Sequence, residues 1–499
     1  MKTKIKKNKF IFKALVILFF ANNIFAFNSD SISTLQKFKL KLNFNLNSFP
    51  QIKESSFDSV IEYKSGGTSI YVDKETAKAW ENIPSLMNLE FGFAQNDWLS
   101  FDGVVYLRKD IEAWYKDKNS TNIFLSTREF DMNVPFISKL NLKYDELNIR
   151  IGRFPFSLNQ NSNRSVSISG SPYDDAISVN YSKSNITFDY YFANLNSWLH
   201  NQYLRNYSSE YFRQNSFVLY QQRERIYNEQ IKTIVAHKIN YQYENINIGI
   251  SELSVIGGKT PTITEINPFS IWHNDYNDGF TNSMFSFEGA VKINQHKIYA
   301  EIAFDDLISG MNESGADSKN IYAYLIGSEF VFSNPYQNII LKIEAINVNP
   351  YFGNHDIPLL KFISRRIYNS NFRHRSEINY GDTYFVDYPI GYYRGPDVID
   401  FWLDFIFESE KFNFKNEFGW LRNGTITLAH AHKGDDDKMG TDYELILPIK
   451  SKNELRNFAN LNYKYSYKMN FDFGLLARKI EKTNLYLFLG FNYSFDLIN

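Results

Sequence analysis

Histidine, carboxylate and hydroxyl side chains are the groups best suited to chemistry in this sequence, and two short clusters contain them. The run HAHKGDDD at 430–437 pairs imidazole with carboxylate, a donor set that could hold a divalent cation. Ser270, His273 and Asp275 stand close together in SIWHND, but a catalytic triad is defined by geometry and not by nearness in sequence. A charged loop explains the first cluster more simply. We therefore predict no metal, no cofactor and no enzymatic activity.

The amino-terminal residues predict export from the cytoplasm. MKTKIKKNKFIFK contains six lysines, ALVILFFA is an unbroken apolar run, and Ala26 is a suitable cleavage position. A basic start, a short apolar core and a small residue at the exit are typical of a secretory signal peptide. We expect residues 1–26 to be removed and 27–499 to form the mature protein. The chain contains no cysteine, so disulfides, thiolate chemistry and a lipidated cysteine are excluded.

The composition excludes one class of partner and indicates one class of fold. Lys plus Arg number 54 and Asp plus Glu 55, so the chain lacks the basic excess typical of nucleic-acid binding. Phe (45) and Tyr (34) are abundant, yet charged residues make up 22%. Abundant aromatics, much polarity and no long apolar run after the signal favour a fold that spreads its apolar residues thinly over many strands.

Period-two alternation recurs along the chain and predicts β-strands. In KFKLKLNFNLNSF every second residue from Phe38 to Leu46 is apolar, and their neighbours are lysine or asparagine. LNLKYDELNIRIG and AISVNYSKSNITFDYYF predict hairpins with tight turns. About 16 to 20 strands follow one another in this way, with at most one short helix near 74–88.

Alternating strands can form a soluble sandwich or a membrane barrel, and three features favour the barrel. The chain carries an export signal, its hairpins continue without a domain break, and it ends on the amphipathic strand NLYLFLGFNYSFDLIN. In a closed barrel the last strand pairs with the first, which accounts for an apolar strand at the terminus. We predict an all-β protein: a single closed antiparallel transmembrane β-barrel of about 18 strands in the bacterial outer membrane. Membrane lipid and the barrel-assembly machinery are its expected partners.

Several blocks in the middle of the chain resemble a known family. RIGRFPFSLNQNSNRSVSISGSPYDD, NIGISELSVIGG, INPFSIWHND and YPIGYYRGPDVIDFWLDF are similar, in this order, to Wzi-type capsule-assembly barrels. The resemblance implies an 18-stranded outer-membrane barrel that binds capsular or other extracellular polysaccharide without catalysis. The helical bundle of that family is not evident here. The polar lumen face by itself would permit a porin-type diffusion channel, which is the alternative.

Two loops and one group of charges are the candidate sites. Sugar recognition needs an aromatic face beside fixed donors and acceptors, and two loops supply that mixture: Trp272, His273, Asp275 and Tyr276 in the first, and Tyr392, Tyr393, Arg394 and Asp397 in the second. The alternative for both loops is a structural role as aromatic-girdle and lumen residues. The charges expected to point into the lumen are Glu252, Glu301, Asp305 and Asp306.

Overall fold

The structure, a computed structural model, describes most of the strands and part of the connections between them. It describes residues 36–48, 62–64, 68–71, 80–81, 84–95, 97–111, 121–123, 131, 135–159, 161–169, 171–197, 231–272, 280–306, 320–355, 358–369, 383–428, 451–480 and 483–498. The expected signal peptide and the run at 430–437 lie outside these residues, as do His273, Asp275 and Tyr276.

Twenty-two strands are present in the described residues, and eighteen of them form one antiparallel sheet. The strands are β1 (Gln36–Ser48), β2 (Glu62–Lys64), β3 (Thr68–Tyr71), β4 (Met87–Gln95), β5 (Leu99–Leu107), β6 (Ile137–Tyr144), β7 (Leu147–Phe154), β8 (Asp174–Lys183), β9 (Ile186–Leu195), β10 (Lys232–Tyr243), β11 (Ile246–Gly257), β12 (Thr281–Ile293), β13 (His296–Asp306), β14 (Ile321–Asn334), β15 (Gln337–Val348), β16 (Ile363–Asn369), β17 (Thr383–Pro389), β18 (Val398–Ser409), β19 (Phe412–Asn423), β20 (Lys452–Lys464), β21 (Met469–Lys479) and β22 (Thr483–Ile498). All except β2, β3, β16 and β17 belong to the large sheet.

The large sheet closes into a barrel because β1 pairs with strands from both ends of the chain. It is antiparallel to β4, with Phe44 opposite Met87, and antiparallel to β22, with Phe44 opposite Tyr493. The amphipathic carboxyl-terminal strand therefore lies inside the hydrogen-bonded wall, as the sequence predicted. The prediction of a closed antiparallel barrel of about 18 strands is confirmed.

The two faces of the wall follow the alternation of the sequence. On β22 the side chains of Leu485, Leu487 and Leu489 point outward and are 67%, 59% and 46% exposed. On β1 the alternate residues Asn43 and Asn45 point inward and are buried. An apolar outer face around a polar interior is the arrangement of an outer-membrane barrel, which confirms the predicted location.

The connections differ in length at the two ends of the barrel. Eight of them are short turns of two to four residues at one end, here called the tight-turn end, and several place their first residue in the left-handed region, as at Asp145 and Asn294 (φ 46° and 56°). The longer connections leave the opposite end, here called the loop end. Two of these carry the second sheet, in which β17 pairs with β16 and, in parallel, with β3.

Helix is scarce in the described residues. Of the stretch near 74–88, Trp80 and Glu81 are helical, while Met87 already begins β4 and most of the remainder is outside the described residues. Among the residues described, no helix has the length and apolar character needed to cross a membrane.

Candidate functional site: the barrel lumen

The connection between β7 and β8 folds into the barrel. Its described residues, 155–159, 161–169 and 171–173, are here called the inward segment. Ser165 and Val166, at its centre, are fully buried and contact β13 across the lumen. Since Glu301 lies at the middle of β13, the inward segment reaches about half the height of the barrel and narrows the lumen there.

Arg164 fixes the inward segment to three strands of the wall. Its Nη1 donates to Glu344 Oε2 at 2.6 Å, and Nη1 and Nη2 donate to Asp404 at 2.8 and 3.0 Å. Nη2 also donates to Glu417 at 3.2 Å, and the guanidinium carbon lies 4.3 Å from the ring centre of Trp402. A planar guanidinium suits such bidentate contacts.

The charge on Arg164 persists despite burial. Burial by itself lowers the pKa of this guanidinium, but the hydrogen bonds and charges of Asp404 and Glu344 outweigh it and hold the pKa above its ordinary value. The guanidinium therefore stays protonated in its contact with the wall.

A second attachment uses a carboxylate of the wall as acceptor. Glu301 accepts from Asn159 Nδ2 at 2.6 Å and from Ser165 Oγ at 2.9 Å, and it also accepts the backbone N–H groups of Val166 and Ser167 at 3.1 and 3.0 Å. Four donors from one segment satisfy a carboxylate that would be costly to bury unpaired. This cluster fixes the backbone of the inward segment as well as its side chains.

The third attachment centres on Glu344, whose side chain is fully buried. Besides Arg164, it accepts from Tyr299 Oη at 2.6 Å and from the hydroxyl of Ser162. The Tyr299 ring lies flat over Gly327, where a Cβ would meet the ring at 2.4 Å. Glycine at this inward position of β14 therefore allows the tyrosine to reach Glu344.

Residues between β15 and β18 fill the lumen nearer the loop end. Tyr392 Oη donates to Asp400 at 2.7 Å, and Arg394 Nε lies 2.9 Å from the same carboxylate. Asp305 of β13 accepts the backbone N–H of Gly353 at 2.7 Å. Burial, with Tyr393 and Asp400 adding to it, raises the pKa of Tyr392 well above its ordinary value, so the phenol stays protonated and donates.

The inner face of the barrel is consequently divided. We call β8–β15 and β18 the packed wall, because most of their inward side chains toward the loop end are buried under these two connections. We call β19–β22, β1 and β4–β7 the open wall. On the open wall, several inward charges stay in contact with solvent: the side chains of Asp102, Lys139 and Lys415 are 52%, 31% and 47% exposed. Nearer the loop end of the same wall, Glu454 and Arg478 are buried against each other.

Of the described candidates for polysaccharide binding, three are buried and two, Tyr393 and Asp397, are half-buried. Trp272, Tyr392 and Arg394 are 2%, 1% and 0% exposed. Tyr392 packs against Tyr393, and Asp397 accepts the backbone N–H of Ile426 at 2.9 Å. Trp272 and the pair Tyr392–Arg394 are not brought together, since Trp272 lies outside the barrel wall and the other two lie inside it.

The four charges predicted for the lumen do not all point inward. Glu301 and Asp305 point inward and hold inward-folded chain, as described above. Glu252 does not: it stands opposite His237 in the register and alternates with the inward Ser251 and Leu253, so it lies on the outer face. The prediction of a lumen position is wrong for Glu252, because one residue of register reverses the face. Asp306 pairs through its backbone with Ile321 at a β-bulge, and its side chain is outside the described residues.

Arg164, Glu344 and Asp404 were not predicted from the sequence. A signal existed, because Glu344 and Asp404 occupy polar positions inside the apolar strands IILKIEAINV and VIDFWLDFIF. Arg164 stands in the serine-rich stretch NSNRSVSIS, which reads as an ordinary solvated loop. Their association across 180 and 240 residues of chain is visible only in the folded barrel.

Comparison with known proteins gave similarities only among solved structures. No family model and no curated protein matches the chain. OccD3 (OpdP) of Pseudomonas aeruginosa is 9% identical, with 94% of each chain covered and a TM-score of 0.43. A BenF-like porin from Pseudomonas fluorescens Pf-5 is 7% identical, with 92% of this chain and 99% of that chain covered and a TM-score of 0.41. OccAB4 of Acinetobacter baumannii is 8% identical, with 93% and 99% covered and a TM-score of 0.39.

The resemblance to Wzi-type capsule-assembly barrels is wrong. No family model supports it, and the solved structures found to be similar are Occ and BenF-like proteins instead. The quoted blocks are short alternating strands followed by polar turns, a pattern that large outer-membrane barrels share whatever they do. With the resemblance, the inferred role as a polysaccharide-binding surface protein is withdrawn.

Proposed function

We propose that the protein is a diffusion channel for small polar solutes across the outer membrane and that it performs no catalytic step. The observation that carries the proposal is the open wall, where the inward side chains of Asp102, Lys139 and Lys415 remain exposed to solvent inside a closed barrel. A lumen filled completely by its own loops would bury these charges. The barrel therefore retains water beside the inward segment.

The inward segment determines which solutes this passage suits. It lies against the packed wall at about half the height of the barrel. The rest of the passage is therefore bounded by the inward segment on one side and by the open wall on the other. Charges of both signs line that open wall: Glu90 and Asp102 are acidic, while Lys139 and Lys415 are basic. A narrow passage lined by both signs suits small, hydrated polar solutes better than apolar ones or polymers.

Ion conductance across a planar bilayer tests the proposal. The purified, refolded barrel should give stepwise, steady conductance, and proteoliposomes should swell with small sugars but not with large ones. Heat-modifiable mobility on a gel provides the control for folding. A barrel that passes this control yet conducts no ions and admits no sugars would disprove the channel.

A further inference from the structure

The outer face of β9–β12 breaks the apolar pattern of the rest of the wall. Phe188, Ile239, Ile250 and Phe287 form one hydrogen-bonded row across these strands, and the last three are exposed and apolar. The next outward row toward the loop end contains His237 and Glu252 between Tyr190 and Phe285. A histidine–glutamate pair therefore lies one row above a lipid-facing row.

The part of the connection between β11 and β12 that follows β11, residues 258–272, covers this pair from outside. The backbone N–H of Trp272 donates to Glu252 at 3.1 Å, and His237 Nε2 lies 3.4 Å from the same carboxylate. The Trp272 ring packs on the His237 ring at 4.3 Å between centres. Glu252 is thereby buried on the outer face of a membrane barrel without contacting hydrocarbon.

The covering chain, residues 258–272, descends along the wall and is here called the outer segment. Tyr190 Oη donates to the Ile266 carbonyl at 2.7 Å, and the Phe269 ring stacks on Phe188 at 5.6 Å. Phe188 is the third residue of β9 from the tight-turn end, so the outer segment extends down to the lipid-facing row. Its outward side exposes large apolar side chains beside threonines and an asparagine: Ile263, Phe269 and Ile271 are 83%, 81% and 63% exposed.

The lengths of the apolar runs show how much of the membrane depth the outer segment occupies. On β22 the exposed run from Leu485 to Phe495 spans ten residue steps, or about 34 Å of strand and about 26 Å of height at a tilt of about 40°. That height matches an apolar band of about 25 Å. On β11 the run from Ile246 to Ile250 spans four steps, about 10 Å of height. The outer segment covers the rest of the band on this side.

Irregular backbone is not stable against hydrocarbon. It lacks the complete internal pairing of a helix or closed sheet, and at membrane depth it occurs where protein or a water-filled cavity surrounds it. The outer segment has β9–β12 on one side and exposed apolar side chains on the other. Its free side therefore requires protein rather than lipid.

We propose that a second copy of this chain covers the outer segment, so that the protein is a cyclic homo-oligomer with this face in each interface. Charge compatibility favours an identical partner, because the carboxylates of the face have partners within the chain: Lys259 lies 2.6 Å from Glu265, and Glu252 is buried beside His237 and the backbone N–H of Trp272. Two such faces can meet without repulsion. Every copy carries the same uncovered segment at the same depth, and closed symmetry covers all of them at once. This proposal is independent of conduction.

Spin labels in the native membrane test it, because the chain contains no cysteine and each label is unique. The labelled variants are Ile271→Cys on the outer segment and, as a matched control, Leu487→Cys on β22. We expect the label at 271 to be shielded from dissolved oxygen and to give a defined intermolecular distance. The label at 487 should be fully accessible to oxygen, as expected of a lipid-facing position.

Truncation gives a second measurement on folded protein. The double variant Phe269→Ala and Ile271→Ala should weaken subunit association in mild detergent at least about tenfold, while Leu487→Ala leaves it unchanged. Heat-modifiable mobility should persist in all variants. An oxygen-accessible label at 271 would show that lipid covers the segment, and a shielded label without an intermolecular distance would show that something other than a second copy covers it. Either result overturns the proposal.

Discussion

The packed wall and the open wall are built from the same alternating strands but differ in what faces inward. On the packed wall toward the loop end, many inward positions are apolar, as at Leu253 and Val255 of β11, and the inward segment places Val166 and Ile168 in the same core. On β1 of the open wall, the inward positions through the strand are lysine and asparagine. A barrel strand can therefore show which part of the lumen is filled, because only chain that covers it makes an apolar inward face favourable.

The buried charges of the packed wall and the exposed charges of the open wall differ in what compensates them. Glu301 and Glu344 are enclosed and fully supplied with donors from the inward segment and from Tyr299, whereas Asp102 is half exposed beside Lys139. Removing a partner from an enclosed carboxylate leaves an uncompensated charge, whereas water compensates an exposed one. The largest effects of substitution should therefore come from the packed wall.

Arg164→Ala should have the largest effect. It leaves Asp404 buried without the guanidinium that it shares with Glu344, which keeps Lys342 at 3.1 Å. We expect this loss to cost about 3–5 kcal/mol of the free energy of unfolding in lipid vesicles. The freed inward segment should also raise single-channel conductance. Arg150→Ala on the open wall is the matched control. Arg150 donates to the neutral Ser178 hydroxyl at 3.1 Å and lies 5.3 Å from the ring centre of Phe154, so its removal should change both quantities little. Equal effects of the two substitutions would contradict the division into walls.

Glu301→Gln should have the next largest effect. The amide keeps the shape but replaces one accepting oxygen by a donor, which then opposes the N–H groups of Val166 or Ser167. We expect a loss of about 1–3 kcal/mol in urea unfolding, with an increase in current noise as the segment loosens. Glu90→Gln, half-buried on the open wall, is the control and should stay within about 0.5 kcal/mol. A Glu301→Gln channel with unchanged current noise and unchanged stability would show that Glu301 does not fix the inward segment in place.

The sequence predicts the wall of this barrel well and its filling poorly. Strand alternation depends on neighbours two residues apart, so β1 and β22 and their closure could be inferred from short stretches. The contact of Arg164 with Asp404 joins residues 240 positions apart, and nothing local to NSNRS distinguishes an inward loop from a solvated one.

Glu252 shows a second limit. Its strand, INIGISELSVIG, is apolar at alternate positions near the tight-turn end and on both faces near the loop end. Periodicity therefore fixes the face of Ile250 but not that of Glu252, which was placed in the lumen because a charge on the lipid side is costly. The outer segment removes that cost by covering Glu252 with Trp272, a contact that alternation cannot reveal.

Tyr299→Phe should have a moderate effect. The substitution keeps the ring over Gly327 and removes the hydroxyl that donates to Glu344 at 2.6 Å. We expect a loss of about 1–2 kcal/mol, since a buried charged acceptor loses one of several donors. Tyr106→Phe is the control on the open wall, where the ring packs on Phe136 at 4.6 Å and should contribute mainly through that packing. Urea unfolding of both variants in the same vesicles measures the difference.

Asp102→Asn should change stability least and ion selectivity most clearly. Its carboxylate is half exposed on the open wall, 3.7 Å from Lys139, so the free energy of unfolding should move by no more than about 0.5 kcal/mol. Removing a negative charge from the passage should shift the reversal potential under a salt gradient toward anions, and Lys415→Gln should shift it toward cations. Both shifts should be larger at 0.1 M than at 1 M salt, because the screening length falls from about 10 Å to about 3 Å. If neither substitution changed the reversal potential, ions would not pass along the open wall, and the conducting path would have to lie elsewhere in the lumen.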